Sequence, residues 1–214
     1  MAARSPLGSG PELIVANHLT YFDVLAFGSA FPCVFVAKRE VRSWPLFGLL
    51  ASLGGTLFIE RGNRASTLLV AMQVKQLLSQ GVSVMLFPEG TSSDGSTVMR
   101  FHPSLFEPAI ACQAPVTAAA IRYACADLPG GEAVPEKDLC YYGDDVFLPH
   151  LMKALARRGL RAGIRFGENA APYSDRRTAA TASWREVMRL RQCQLQSREP
   201  QPCELRPEDA VANP

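Results

Sequence analysis

The chain has 214 residues, 48% of them hydrophobic, and its 22 basic residues stand against 20 acidic ones for a net charge of +2. That is one domain's worth of chain with enough apolar content for a core of its own. The near-neutral balance excludes a protein dominated by nucleic-acid electrostatics, and the ordinary apolar fraction excludes disorder.

The elements follow in chain order. Met1 to Gly10 carries one arginine and no apolar run, so it does not read as a leader. Short apolar runs of strand length come at Glu12 to Ala16, Cys33 to Ala37, Thr56 to Ile59 and Val82 to Phe87, with a weaker one at Val116 to Ile121 and another at Ala162 to Phe166. Between them, Arg64 to Gln80 places Val70, Val74, Leu77 and Leu78 on one helical face, with Asn63 to cap its start and Gly81 to end it. Trp44 to Leu53 reads as a short apolar helix, either a core helix or one that dips into lipid. The longest uncharged stretch, Ser43 to Ile59, is broken by Pro45 and Gly54-Gly55 and is too short to span a membrane. Residues 123–150 are acidic and loop-rich. Residues 151–200 are basic, with helices expected over Leu148 to Arg157 and about Asp175 to Gln194; their arginines read as a solvated face or a contact for anionic headgroups. Continuous apolar strands alternating with helices predict an α/β fold, a single domain built on a central, largely parallel sheet flanked by helices. The domain is expected over 11–195, with flexible termini at 1–10 and 196–214.

Six scattered cysteines, no two within four residues, make no metal or redox motif and read as free thiols. Three polar motifs carry more. Asn17-His18-Leu19-Thr20-Tyr21-Phe22-Asp23 directly follows the first strand, at the end where α/β sheets place ligands. If a helix starts near Thr20, the Asp23 carboxylate can reach back to the His18 imidazole, fix its tautomer and stabilise it once protonated. No serine or cysteine nucleophile stands beside the pair, so the hydroxyl it activates belongs to a substrate. The plain alternative is a histidine that packs or caps. Phe87-Pro88-Glu89-Gly90-Thr91-Ser92-Ser93-Asp94-Gly95 follows the fourth strand and is either a polar headgroup loop or simply a turn. Phe58-Ile59-Glu60-Arg61 follows the third; Arg61 suits a phosphate or a carboxylate, or pairs with Glu60 or Glu89 on the surface.

Asn-His-x-x-x-x-Asp, Phe-Ile-x-Arg and Pro-Glu-Gly-Thr, in this order, with Ala37-Lys38-Arg39-Glu40 between the first two, resemble the glycerolipid acyltransferases of the lysophosphatidate acyltransferase type over about residues 12–125. The resemblance implies that His18 is the general base for the acceptor's free hydroxyl and Asp23 its orienting carboxylate. It implies direct attack on the thioester of acyl-CoA or acyl-carrier protein, with no cofactor and no metal. Arg61 is then the phosphate contact, while Glu89, Gly90, Thr91 and Ser92, together with Lys38 and Asn17, shape the substrate site. His102 is at most a weak candidate and His150 has no partner pattern.

The sequence departs from that family in places. Ser92 stands where lysophosphatidate-type members usually carry a cation after Glu-Gly-Thr, and His102-Pro103 follow Phe101 where lysines are usual. A dianionic phosphate monoester favours such cations. The acceptor is therefore expected among lyso-lipids, 1-acylglycerol-3-phosphate or a related lysophospholipid, with lyso-ornithine lipid as the alternative. A thioester hydrolase or a non-catalytic acyl-lipid binder is the reading from another class. The first strand begins near residue 12, where family members usually carry an earlier anchoring segment. The expectation is a peripheral protein on the cytoplasmic face of the membrane, with its N-terminal anchoring helices absent and apolar and basic surfaces as its route to lipid.

Overall fold

The computed structural model describes residues 10–44, 47–60, 62–125, 136–157, 159–168 and 170–196. Six strands, β1 (Leu13–Ala16), β2 (Val34–Lys38), β3 (Leu57–Ile59), β4 (Val84–Leu86), β5 (Val116–Cys125) and β6 (Leu160–Phe166), form one sheet in the order β3-β2-β4-β1-β5-β6. Every pairing among the first five is parallel, and β6 closes one edge antiparallel to β5. The helices are α1 (Phe22–Ala30), α2 (Phe47–Leu53), α3 (Arg64–Ser79), α4 (Glu107–Cys112), α5 (Phe147–Leu155) and α6 (Arg176–Gln196).

The central strand explains the layering. β1 is Leu-Ile-Val-Ala, fully buried, and its side chains alternate between the two faces of the sheet. Leu13 and Val15 join a core with Val70, Val74 and Leu78 of α3, Ala109 of α4 and Val187 and Leu190 of α6. Ile14 and Ala16 join a second core with Phe27 of α1, Phe31, and Phe166 of β6. A strand covered on both faces needs no polar residue, which is why it reads as an unbroken apolar run. Asn63 caps α3 by accepting from Ser66 N at 3.1 Å, and Gly81 leaves it with φ +90°, both as the sequence predicts.

Differences from expectation have local causes. β5 runs four residues past Ile121, because its partner β6 continues to pair with it out to Cys125. α4, not foreseen, is a single short stretch after Pro103 that the apolar pattern is too brief to signal. α2 exposes Leu49, Leu50 and Leu53 and buries only Gly48, so it is not a core helix. Among the described residues, no helix is long and apolar enough to cross a membrane.

The topology sets up the site. β1 and β4 are neighbours in parallel register, Val15 opposite Leu86, so the segments that follow them leave the sheet side by side. β2 and β3 end on the same edge, with β3 separated from β1 by two strands, or about 14 Å at ordinary strand spacing.

Candidate active site

The chain leaves β1 at Asn17, whose side chain behaves like one more rung of the sheet. It donates from Nδ2 to Ile121 O at 3.0 Å and accepts from Ile121 N at 2.9 Å through Oδ1. At 1% exposure its amide is spent on pinning β5, not turned toward solvent. His18 comes next, and α1 begins at Phe22, which places Asp23 within the first turn. Asp23 Oδ2 lies 2.7 Å from His18 Nδ1 and also accepts from Leu19 N at 2.7 Å and Thr20 N at 3.2 Å. Its Oδ1 accepts from the Tyr123 hydroxyl at 2.8 Å. Asp23 is wholly buried, whereas the His18 side chain is 23% exposed.

An acceptor-only carboxylate on Nδ1 puts the imidazole proton there. Nε2 then carries the lone pair, and among the described residues nothing hydrogen-bonds it. Phe87, first residue after β4, stacks on the ring at 4.2 Å with an interplanar angle of 15°. The imidazole is thus held at one nitrogen and one face, with the other nitrogen available as a base.

The loop after β4 is tied to this pair through the main chain. Glu89 accepts from His18 N at 2.8 Å with one carboxylate oxygen and from Met99 N at 2.8 Å with the other. It is 4% exposed, and burial, outweighing the two amides, pushes its carboxyl up to about 7. Ser93 N donates to His18 O at 3.0 Å. Gly90 sits at φ +77° in the turn closed by its N–H to Phe87 O, a conformation that favours glycine. Thr91 is exposed and Ser92 half-buried. Lys38 is the exposed last residue of β2. Arg61 lies outside the described residues. His102 is exposed and its backbone N–H donates to Pro88 O.

Several neighbours gave no sequence signal. Arg191 of α6 is 4% exposed, against the expectation of a solvated arginine face. It donates to Ile121 O at 2.9 Å, to Gly95 O at 2.7 Å and to Glu136 Oε2 at 2.5 Å. Glu136 also accepts from Tyr123 N at 2.7 Å. Tyr21 lies 2.9 Å from His150 Nδ1, and His150 Nε2 donates to Cys140 O at 3.0 Å. His150 therefore accepts at Nδ1, and the Tyr21 hydroxyl, held above the ordinary phenol range by burial, donates. Around Tyr21 the rings of Phe22, Trp44, Phe47, Tyr141 and Phe147 gather, Trp44 stacking on Phe147 at 4.3 Å. This aromatic floor joins α2 and α5 beside the His18 turn.

Comparison with known proteins gives the setting. A family model described as Acyltransferase matches residues 3–122. The lyso-ornithine lipid O-acyltransferase of Pseudomonas aeruginosa is 37% identical over 154 residues, covering 72% of this chain and 56% of that protein. The 1-acyl-sn-glycerol-3-phosphate acyltransferase of Neisseria gonorrhoeae is 37% identical over 111 residues, covering 52% of this chain and 44% of that protein. The chain thus spans about half the length of these two relatives. The crystal structure of the 1-acyl-sn-glycerophosphate acyltransferase of Thermotoga maritima shares the fold, with a TM-score of 0.63 over 93% of this chain and 72% of that one, at 20% identity. With its parallel sheet, its His18–Asp23 turn and a family model over more than half its length, the chain belongs to the acyltransferase family.

Proposed function

We propose that the protein transfers a fatty acyl group from acyl-CoA or acyl-carrier protein to the free hydroxyl of a lyso-lipid. The observation that carries this reading is the His18–Asp23 contact at 2.7 Å with Nε2 left for a substrate. In the proposed step Nε2 takes the acceptor's hydroxyl proton as its oxygen attacks the thioester carbonyl. An O–C bond forms, the C–S bond breaks, and the imidazolium returns the proton to the departing thiolate. Base catalysis of this kind is worth about 10²–10⁴ in rate. Asp23 stabilises the imidazolium, while Asn17 and Glu89 hold the turn that carries it. We assign Gly90, Thr91, Ser92 and Lys38 to the substrate side, and Arg61, which lies outside the described residues, keeps only the phosphate role that the resemblance implies.

For the acceptor, the sequence Thr91-Ser92-Ser93-Asp94 carries no cation, and Asp94 keeps its carboxyl below the usual range through bonds from Ser96. This weakens the case for a phosphate monoester and supports a lyso-ornithine lipid as the second reading. For the membrane, α2 and α5 present Leu49, Leu53, Leu148, Met152 and Leu155, all at least 60% exposed, on either side of the aromatic floor. We assign these faces to a lipid surface, which lets a lyso-lipid reach His18 without crossing open water.

The test is acyl transfer from acyl-CoA and acyl-carrier protein to a panel of lyso-lipids, by wild type and His18→Ala. Loss of transfer in the variant, with an unchanged melting temperature, is expected. Full activity in His18→Ala, or fatty-acid release that does not depend on an acceptor, overturns the reading.

A further inference from the structure

We propose that Tyr123 is a positioning residue for the His18–Asp23 pair, its hydroxyl fixing the carboxylate so that Oδ2 alone faces the imidazole. The inference rests on the reading of His18 as the base. Asp23 Oδ2 serves three donors, His18 Nδ1, Leu19 N and Thr20 N, and these already anchor that oxygen. Oδ1 has one donor among the described residues, the Tyr123 hydroxyl at 2.8 Å. Both partners are buried, Tyr123 at 3% exposure and Asp23 at zero. An ionised oxygen in such a place needs a donor, or it draws in water or turns toward the nearest proton. The side chain that shares this carboxylate is the His18 imidazole on Oδ2, so any shift of the carboxylate is felt there.

Tyr123 is itself held hard. Its backbone N–H goes to Glu136 Oε1, and Glu136 is fixed by Arg191, which also grips Ile121 O two residues earlier on β5. Asn17 pins Ile121 from the other side, at the base of the His18 turn. Strand β5 and the His18 turn are thus locked in one register, and the phenol is the part of β5 that reaches the carboxylate. Burial first, and the Asp23 charge second, keep the hydroxyl protonated far beyond physiological pH, so it keeps a proton to donate to Asp23. The other titratable groups nearby are Glu136, Cys140 and Arg191 around the phenol, and Glu89 on the backbone of His18.

A purely structural tyrosine and a positioning one differ in the pH profile. Without the hydroxyl, more negative charge faces the imidazole, which then holds its proton to higher pH. The experiment compares wild type, His18→Ala, Tyr123→Phe and Tyr173→Phe in acyl transfer; Tyr173 packs against the other core and serves as control. Tyr123→Phe is expected to lower kcat about tenfold or more with KM little changed, the scale of a misplaced catalytic group. The acidic limb of kcat/KM should move up by about half a pH unit. Site-specific 3-fluorotyrosine at 123 keeps the ring and strengthens the donor, so the limb should move the other way. That second arm carries the test if Tyr123→Phe does not fold. Glu89 keeps its bonds to His18 N and Met99 N in both residue-123 variants, so their differences from wild type belong to residue 123; His18→Ala, which removes a charge beside Glu89, is read for loss of transfer alone. Unchanged kcat and limb in Tyr123→Phe, or a shift of the same sign in both variants, overturns the proposal. Activity surviving in His18→Ala is a separate result, which removes the base and not the positioning bond.

Discussion

Replacing Glu89 by glutamine separates a clamp from a substrate contact. The carboxyl, ionised or not, offers an oxygen to His18 N and another to Met99 N, each at 2.8 Å. A carboxamide offers one oxygen and one NH2 group, so one buried N–H loses its acceptor and meets a donor instead. A lost bond together with an unsatisfied buried amide amounts to about 2–3 kcal/mol. For a domain of this size that is a fall of about 5–10 °C in melting temperature. The freed end is either the His18 turn or the Met99 loop, so kcat should fall about 10–100-fold while KM stays within about threefold. Calorimetry and steady-state kinetics on Glu89→Gln read both. The pH dependence adds a sign. Burial raises the Glu89 carboxyl from 4.5 to about 7, so the folded protein binds this proton more tightly than the unfolded chain. The contribution is complete below the unfolded value and is lost as pH rises through about 7. The gap in melting temperature between wild type and Glu89→Gln should narrow from about pH 5 to about pH 8. An unchanged melting temperature with a raised KM would show that Glu89 touches substrate and would refute the clamp.

Two further outcomes follow from the same geometry. In Asp23→Asn the amide oxygen can replace Oδ2 toward its three donors, and the Tyr123 hydroxyl can turn to accept from the new NH2 group. The fold should therefore keep its melting temperature while kcat falls by about 10²–10⁴, the range of base catalysis; a large loss of stability would contradict this exchange of roles. The double change Leu53→Glu with Met152→Glu alters side chains that are 77% and 61% exposed, so stability should hold. Flotation with vesicles containing anionic lipid should drop by about tenfold or more, because each apolar side chain buried in lipid is worth about 1.5–3 kcal/mol. Equal flotation of the double variant and wild type would remove α2 and α5 from the membrane face.

The parts of the fold legible in the sequence are those governed by short-range pattern. Leu13 to Ala16 and Val84 to Leu86 are buried on both faces, so their apolar runs mark them directly. Asn63 and Gly81 bound α3 by local capping chemistry. His18 and Asp23 meet because a helix start lies between them, again a local matter. The supporting bonds are different. Tyr123 reaches Asp23 across 100 positions, and Arg191 reaches Gly95 across 96, distances at which spacing carries no message. β5 looked weak because Ala118, Ala119 and Ala120 supply little bulk, and stopping it at Ile121 left Tyr123 in a loop. Arg191 looked like one more cation of a basic surface helix. Its burial comes from the packing of α6 on β5, which composition does not reveal.

Every bond named for the loop that follows β4 ends on a main-chain group. Glu89 binds two amides, Ser93 N binds His18 O, and Arg191 binds Gly95 O. Two side chains, Glu89 and Arg191, make three of these four bonds, and neither is Thr91 or Ser92. Those two positions can therefore change in size, charge and polarity without moving the imidazole. On the proposed reading, in which Thr91 and Ser92 lie on the acceptor side, the tuning of the acceptor is separate from the upkeep of the base. Libraries randomised at 91 and 92 should yield altered acceptor preference at intact fold stability, a property engineers usually have to install.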